Sequence, residues 1–351
     1  MDKKKILFII NPISGGVGKS EIPELVDQVL NKSVFDYKIM FTEYAGHGYE
    51  LAADAAENGV DVVAAVGGDG TVNEIARALI HTKTALAIVP CGSGNGLARH
   101  LTIPINKRKA LQIINEYEVH DLDFGKINDI PFFCTCGMGF DAVVSMKFAE
   151  ANKRGLASYM ENAFAQMVKY QPQSYEIEDE TGCKHYNAFL ITCANASQWG
   201  NNAYIAPHAS MSDGLMDVTI VEPFMAIEAP ELSLQLFSKA LDRNNRIKIF
   251  RSRKIVIHRS EPGPVHFDGD PVIEDKDVVV EMVPKGIKVV VNPDKHPIDD
   301  SEPEKTPFDN VVEFVNNVYD VRDDMLRTAH RLQIINKVIQ RRLMRRLKLE
   351  D

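Results

Sequence analysis

The sequence is poor in cysteine and tryptophan, and it has no excess of basic residues. Its 351 residues include five cysteines and one tryptophan. An odd number of cysteines scattered over a long chain indicates reduced thiols in a cytosol rather than a disulfide framework. Acidic residues outnumber basic ones by 49 to 40, which gives a formal net charge of −9. This balance argues against nucleic acid as a partner, because binding it requires a basic surface.

Long apolar runs are also missing. No stretch approaches the ~18 consecutive apolar residues that a membrane-spanning helix needs. The lysine-rich start is followed by an apolar run over residues 6–10, which is too short for the core of a secretory signal. The sequence therefore predicts a cytoplasmic protein without a membrane-spanning segment.

Residues 1–120 show a regular alternation of strand and helix patterns. Strand patterns, several of them continuously apolar, occur at 5–10, 37–42, 60–66 and 85–89. Apolar residues at helical spacing occur between them, at 22–30, 49–57 and 72–81. This β-α repetition predicts an α/β nucleotide-binding domain on a doubly wound parallel sheet.

Residues 121–293 have a different pattern, with many short strands and few helices. The predicted strands include 188–194, 216–221, 253–258, 277–283 and 286–291, and the clearest helices are 156–170 and 229–241. Strands separated mainly by turns are typical of antiparallel pairing. We therefore expect a second, β-rich domain built as an antiparallel sandwich.

The last part of the chain is predicted to be a linker and a helical tail. Residues 294–307 are polar and contain several prolines, which is typical of a linker. Apolar residues at alternating three- and four-residue steps predict an amphipathic helix over 308–351. Its end carries Arg341, Arg342, Arg345, Arg346 and Lys348. Such a helix is expected either to anchor reversibly to an anionic membrane or to form a homo-oligomer, and the sequence leaves both open.

Three glycine-rich segments follow predicted strands of the first domain. They are residues 11–20 (NPISGGVGKS), 67–74 (GGDGTVNE) and 90–96 (PCGSGNG). Loops in these places lie at the carboxyl ends of parallel strands, where doubly wound sheets bind ligands. The first is not a Walker A loop, because Ile13 stands where that motif needs glycine, and none fits the dinucleotide fingerprint. Together they predict a phosphate-binding site, since glycine lets the main chain approach an anion closely.

These loops resemble those of the diacylglycerol kinase and sphingosine kinase catalytic family. The resemblance extends to 137–141 (GMGFD), 206–215 (APHASMSDGL) and 268–270 (DGD) in the second domain, in the family's order and spacing. It covers roughly residues 5–293. The third loop resembles the sphingoid-base branch more closely, because Gly96 stands where diacylglycerol kinases usually have an aspartate.

The resemblance implies a kinase that uses ATP and magnesium to phosphorylate a long-chain lipid alcohol, either a sphingoid base or a diacylglycerol, at a membrane surface. Asp69 is implied to organise the magnesium ion through water. The residues implied to contact ATP are Asn11, Pro12, Ser14, Gly15, Thr42, Gly67, Gly68, Asp69, Gly70, Thr71, Asn73, Glu74, Gly92, Ser93 and Asn95.

The segment at 268–270 is implied to supply the general base for the lipid hydroxyl. The family usually has Asp-Gly-Glu here, whereas this chain has Asp268 and the one-methylene-shorter Asp270. Residues two apart in a strand point to the same face, so both carboxylates are candidates. The alternative is a solvent-exposed turn without a catalytic role.

A metal-binding loop is the last implied site. Ser210 and Leu215 would offer main-chain oxygens and Asp213 its carboxylate, ligands that suit a hard cation. An ordinary turn is the alternative.

Two other functions also remain open at this point. One is an NAD kinase, which shares the second loop, and the other is a nucleotide-binding, membrane-associated protein without activity, suggested by Asp270 and Gly96.

Overall fold

The computed structural model describes residues 3–13, 21–150 and 170–293. Its first half is built on a parallel sheet whose strands lie in the order β2-β1-β3-β4. These four strands are β1 (Lys4–Ile10), β2 (Phe35–Phe41), β3 (Val62–Gly67) and β4 (Ala85–Pro90). The helices that connect or follow them are α1 (Ile22–Val29), α2 (His47–Glu57), α3 (Asp69–Leu79), α4 (Gly96–His100) and α5 (Lys107–Glu116).

Helices cover both faces of this parallel sheet. On β1, Leu7 and Ile9 pack with residues of α2 and α3, whereas Phe8 and Ile10 pack with α1 and α5. Because side chains alternate along a strand, a strand that is buried on both faces has a continuous apolar sequence. The predicted doubly wound α/β architecture is confirmed.

The second half of the described chain is mainly strands. They are β5 (Val119–Ile127), β6 (Ile130–Phe132), β7 (Thr135–Gly139), β8 (Gln173–Asp179), β9 (Gly182–Ala188), β10 (Leu190–Ala194), β11 (Met216–Val221), β12 (Ile247–Ser252), β13 (Lys254–Arg259), β14 (Gly263–Phe267), β15 (Asp270–Glu274) and β16 (Asp277–Val290). Between them lie α6 (Phe140–Glu150), α7 (Ala229–Phe237) and 3-10 turns at Ala226–Glu228 and Leu241–Arg243.

Two sheets form the predicted sandwich. A six-stranded antiparallel sheet has the order β12-β11-β10-β7-β14-β15. It packs against the antiparallel part of the other sheet, which continues past β4 through β16, β13, β8 and β9. Cys136, Met138 and Val265 of the six-stranded sheet meet Ile177 and Ile257 of the opposite sheet in one apolar core. The antiparallel sandwich is therefore confirmed.

Strand β16 differs from the sequence expectation of two strands at 277–283 and 286–291. It runs without a break from Asp277 to Val290, and its pairing with β5 shifts register between Val283 and Ile287. Lys285, inside the shift, has a φ of 52°. A bulge of this kind absorbs extra residues without ending the strand.

Some predicted segments lie outside the described residues. The helix predicted at 156–170 lies outside them except for residue 170, and the linker at 294–307 and the tail at 308–351 do so completely. Their structures and the proposed domain bounds stay predictions. Within the described ranges, no helix is both long enough and apolar enough to cross a membrane.

Candidate active site

The predicted phosphate-binding residues follow neighbouring strands at one edge of the parallel sheet. Asn11 and Thr42 come directly after β1 and β2, and the Thr42 N–H donates to the carbonyl of Ile10 at 2.9 Å. Asn11 Nδ2 donates to Thr71 Oγ1 at 3.1 Å, which joins the first loop to the start of α3. Pro12 is exposed beside Asn11. Ser14 and Gly15 lie outside the described residues.

The second and third glycine-rich loops are packed against each other through glycines. A Cβ atom on Gly92 would lie only 2.6 Å from the Cα of Gly68. A Cβ atom on Gly67 would lie 2.5 Å from the side chain of Thr71. A larger residue at 92 would separate the two loops, and one at 67 would displace the start of α3, so glycine is required here for close approach rather than for flexibility.

Asp69 is the first residue of α3, and its carboxylate faces the third loop. Its Oδ2 accepts a hydrogen bond from the Asn95 N–H at 2.8 Å, and its Oδ1 accepts one from the Gly96 N–H at 2.6 Å. Burial raises the pKa of Asp69, and these main-chain donors oppose the rise. A Cβ atom on Gly94 would lie 2.7 Å from Oδ2, which shows how closely the loop surrounds this carboxylate.

Asp268 is held by four hydrogen-bond donors. Its Oδ1 accepts from the N–H groups of Cys134 and Thr135 at 2.7 and 3.0 Å. Its Oδ2 accepts from the Phe133 N–H at 2.9 Å and from Asn73 Nδ2 at 2.7 Å. Burial raises the pKa of Asp268, and the four donors lower it. Because both oxygens are occupied, this carboxylate fixes the 133–135 segment against α3.

Asp270 is the first residue of β15, and its environment is quite different. Its side chain is exposed and forms no hydrogen bond with the described residues. Partial desolvation raises its pKa, the charge of Arg77 opposes the rise, and Glu74 adds to it. Of the two aspartates in the 268–270 segment, Asp270 therefore has the oxygens that remain available to a substrate.

A cavity lies between the carboxyl edge of the parallel sheet and the six-stranded sheet. Its walls include Asp69, Asp141, Trp199, His266 and Asp268. The structure thus brings two of the three predicted catalytic aspartates, 199 residues apart in sequence, to one cavity. Trp199, the one tryptophan of the sequence, is also part of this wall.

Several predicted ATP contacts also hold the loops together. Glu74 Oε1 accepts from the N–H groups of Gly48 and Tyr49 in the first turn of α2 at 2.8 and 3.3 Å. Asn95 has a φ of 51°, and its side chain accepts from the Gly92 N–H and donates to the Gly92 carbonyl. Ser93 and Gly70 are exposed. Their contacts with ATP stay predictions.

The predicted metal-binding loop at 210–215 is a turn with internal partners. Asp213 Oδ1 accepts from the Leu215 N–H at 3.1 Å, and Oδ2 lies 3.7 Å from Arg251 Nη1. Ser210 Oγ lies 3.3 Å from Ser212 Oγ. Among the described residues there is no group of three or more histidine, cysteine or acidic side chains placed to hold a metal ion. A metal at this loop stays a prediction that would depend on main-chain oxygens.

Sequence reasoning missed two features of the site. Asp123 links the 210–215 loop to the β16 bulge, because its two oxygens accept from the Gly214 and Lys285 N–H groups, both at 2.7 Å. Asp141 stands in the sequence as the last residue of the 137–141 motif, and the structure shows that it contacts His266 in the cavity wall. The sequence carries no signal for the histidine, because these partners are 125 residues apart.

Glycine-rich loops at the ends of parallel strands, facing a cavity with convergent carboxylates, define the class of this protein as a phosphotransferase. Family comparison then identifies the two halves. Residues 5–127 match the family described as "Diacylglycerol kinase catalytic domain", and residues 134–291 match "YegS C-terminal NAD kinase beta sandwich-like domain". The chain is a kinase, and its two halves are similar to the two domains of YegS-like lipid kinases.

Individual proteins support the same assignment. The chain is 27% identical over 267 residues to "Probable lipid kinase YegS-like" of Chromohalobacter salexigens, covering 74% of this chain and 86% of the relative. It is 28% identical over 258 residues to "Probable lipid kinase YegS" of Salmonella arizonae, covering 71% and 84%. A crystal structure of a diacylglycerol kinase from Bacillus anthracis has a TM-score of 0.64 at 20% identity, covering 84% of this chain and 99% of that one. This last likeness supports the fold alone.

Proposed function

We propose that this kinase transfers the γ-phosphoryl group of ATP to the hydroxyl of a long-chain lipid alcohol. The observation that carries the proposal is the cavity where Asp69 of the loop half meets Asp268 and Gly269 of the sandwich half. A phosphoryl donor held by the glycine-rich loops and an acceptor held by the sandwich would meet there. The names of the relatives from Chromohalobacter and Salmonella support a lipid as the acceptor.

The loop half is suited to bind the phosphates of ATP. Phosphoryl transfer depends mainly on positioning and on electrostatic stabilisation of the transferred group. Main-chain N–H groups at the start of α3 lie at the same sheet edge as the third loop, and the open space around Gly70 leaves room for a phosphate oxygen to approach them. The resemblance noted above adds Asn11, Thr42 and Ser93 to this proposed ATP site.

The residues also fit a magnesium ion that is held mostly by water and phosphate. Each oxygen of Asp69 accepts one main-chain hydrogen bond, so each keeps accepting capacity for a metal-bound water. Magnesium usually keeps several waters and binds one or two carboxylates together with substrate phosphates. When bound, the ion would neutralise charge on the phosphates, and Asp69 would position it.

Asp270 is the proposed general base. Its carboxylate accepts the proton of the lipid hydroxyl as the oxygen of that hydroxyl bonds to the γ-phosphorus. The bond from this phosphorus to the bridging oxygen of ADP breaks, and ADP leaves with the electron pair. Asp268 is a positioning residue in this scheme, because its oxygens are occupied by four donors.

A side-by-side kinase assay tests the proposal. Purified full-length protein is incubated with labelled ATP and with sphinganine, monoacylglycerol, diacylglycerol or NAD, the lipids being presented in mixed micelles. We expect phosphate transfer to at least one lipid and none to NAD. Transfer to NAD alone, or tight ATP binding without transfer to any acceptor, would refute a lipid kinase function.

The same assay on vesicles tests how the protein reaches its substrate. We propose that it is cytoplasmic and approaches anionic membranes through the basic end of the 308–351 tail. Truncation after Asp294 is then expected to preserve nucleotide binding and to lower activity on vesicles but not in micelles. If vesicle activity persists while an oligomer dissociates, the tail is an oligomerisation element instead.

A further inference from the structure

A carboxylate–imidazole pair in the cavity wall has no role in the scheme above. Asp141 at the start of α6 and His266 on β14 are 5% and 3% exposed. The His266 Nε2 atom lies 3.1 Å from Asp141 Oδ2. Gly137 lies under the pair, and a Cβ atom there would come within 2.5 Å of Asp141 Oδ2 and 2.9 Å of His266 Nε2.

The surroundings of Asp141 determine which histidine nitrogen carries the hydrogen. Oδ1 accepts from the Ala142 N–H at 2.8 Å, and Oδ2 accepts from the Thr192 hydroxyl at 3.1 Å. An ionised carboxylate can only accept hydrogen bonds, so Asp141 also accepts from its third partner, the His266 ring. His266 Nε2 therefore carries a hydrogen and donates it, and in the neutral ring Nδ1 is left as an acceptor.

His266 Nδ1 has no hydrogen-bond partner among the described residues, although this atom is buried. Trp199 Nε1, a donor in the same cavity wall, is also buried without a partner in the described ranges. Buried polar atoms are nearly always hydrogen-bonded, and leaving one unpaired costs about 1–3 kcal/mol. Two unpaired atoms beside one cavity indicate a polar ligand group that completes them.

We propose that His266 Nδ1 accepts a hydrogen bond from a second donor group on the head of the lipid, beside the hydroxyl that is phosphorylated. This inference rests on the proposed function, in which Asp270 takes the reacting hydroxyl. Diacylglycerol then has no donor left, because its ester oxygens only accept. A sphingoid base or a monoacylglycerol carries a further amine or hydroxyl that can donate to His266. Asp141 is a positioning residue that sets the tautomer of the ring.

Substrate preference is the first test. Wild-type kcat/KM is measured for sphinganine, monoacylglycerol and diacylglycerol of matched chain length in mixed micelles. Because a buried acceptor left unpaired costs about 1–3 kcal/mol, we expect diacylglycerol to be disfavoured by roughly 10- to 100-fold. Monoacylglycerol offers only a further hydroxyl, whereas sphinganine offers an amine and a further hydroxyl, so activity on monoacylglycerol would show that a hydroxyl donor is sufficient. Equal kcat/KM for all three lipids would overturn the proposal.

Two variants of the histidine separate its nitrogens. His266→Gln retains a donor near the Nε2 position but no acceptor at Nδ1, so the preference should disappear while KM for ATP is unchanged. His266→Asn places an acceptor near the Nδ1 position and should keep part of the preference. Ser145→Ala is the matched control, because it changes another polar side chain of the same cavity wall and leaves Asp141 and His266 in place. If this control loses the preference as His266→Gln does, the pair is only structural.

The tautomer can be tested without any kinase activity. In protein labelled with ¹⁵N-histidine, the His266 resonances are assigned by comparison with His266→Asn. We expect a protonated Nε2 and a bare Nδ1, with Nδ1 shifting on addition of 2-amino-1,3-propanediol and not on addition of a dialkyl ether. A hydrogen on Nδ1 in the free protein would overturn the inference. If the spectra are as expected but no lipid is phosphorylated, only the proposed function is refuted.

Discussion

Replacing each aspartate of the 268–270 segment by alanine should separate a positioning role from a catalytic one. Asp268→Ala leaves the three N–H groups of 133–135 without their acceptor. At about 1 kcal/mol for each unpaired N–H group, the loss is about 3 kcal/mol. At roughly 2–4 °C per kcal/mol, Tm should fall by about 6–12 °C. Asp270→Ala removes an exposed side chain without such partners, so unfolding should change by less than about 0.5 kcal/mol.

The kinetic effects should follow a different pattern. Asp270→Ala is expected to lower kcat by roughly 10²–10⁴-fold, the usual contribution of a general base, without changing KM for ATP. Thermal unfolding and steady-state kinetics on the same preparations give both quantities. Glu261→Ala, which removes an exposed carboxylate elsewhere on the sandwich, is the control. A fully active Asp270→Ala variant, or an unstable one, would show that the assignment of base and positioning residue is wrong.

Three further predictions concern the loop half and the pH profile. Asp69→Asn should abolish phosphoryl transfer with the fold retained, because an amide lacks the charge that would organise magnesium; near-normal turnover with unchanged magnesium dependence would contradict this. Gly92→Ala should lower thermal stability and raise KM for ATP, since its Cβ would lie 2.6 Å from the main chain of the second loop, whereas Gly70→Ala, with nothing within 4 Å, should leave thermal stability unchanged. The raised pKa of Asp270 places the acid limb of kcat/KM above the ordinary value of about 3.9, so activity is lost as pH falls through it. Arg77→Gln should move this limb to higher pH, because the Arg77 charge lowers that pKa, and an unmoved limb would exclude Asp270 as the base.

The parallel half could be predicted well because its signals are local. Strands buried on both faces have continuous apolar sequences, and the glycine-rich loops follow them directly. Helix α5 was missed, although Asn106 caps it by accepting from the Lys109 N–H and Ala110, Leu111 and Ile114 are buried. The break predicted between 283 and 286 was wrong, because the β16 bulge keeps the strand continuous there.

The roles within the site could be predicted less well because they depend on contacts distant in sequence. The order Asp-Gly-Asp marks two candidate bases and does not distinguish them. Only the fold shows that Asp268 accepts hydrogen bonds from Asn73 and from the main chain of 133–135. These donors are between 133 and 195 residues away from it in the sequence. The Asp141–His266 pair is likewise assembled by the pairing of β14 with β7.

Strand β16 also determines when the parallel sheet can be completed during synthesis of the chain. It lies beside β4 of the parallel sheet, with Val289 opposite Leu86, and its Val290 packs in the core formed by α1 and α5. About 190 residues therefore leave the ribosome between β4 and the strand that covers its edge. Open strand edges recruit other chains, and pairings between distant segments form slowly. A fragment ending at residue 120 would keep this edge uncovered, so the nucleotide-binding half is expected to aggregate when it is produced alone, although its own strands and helices are complete.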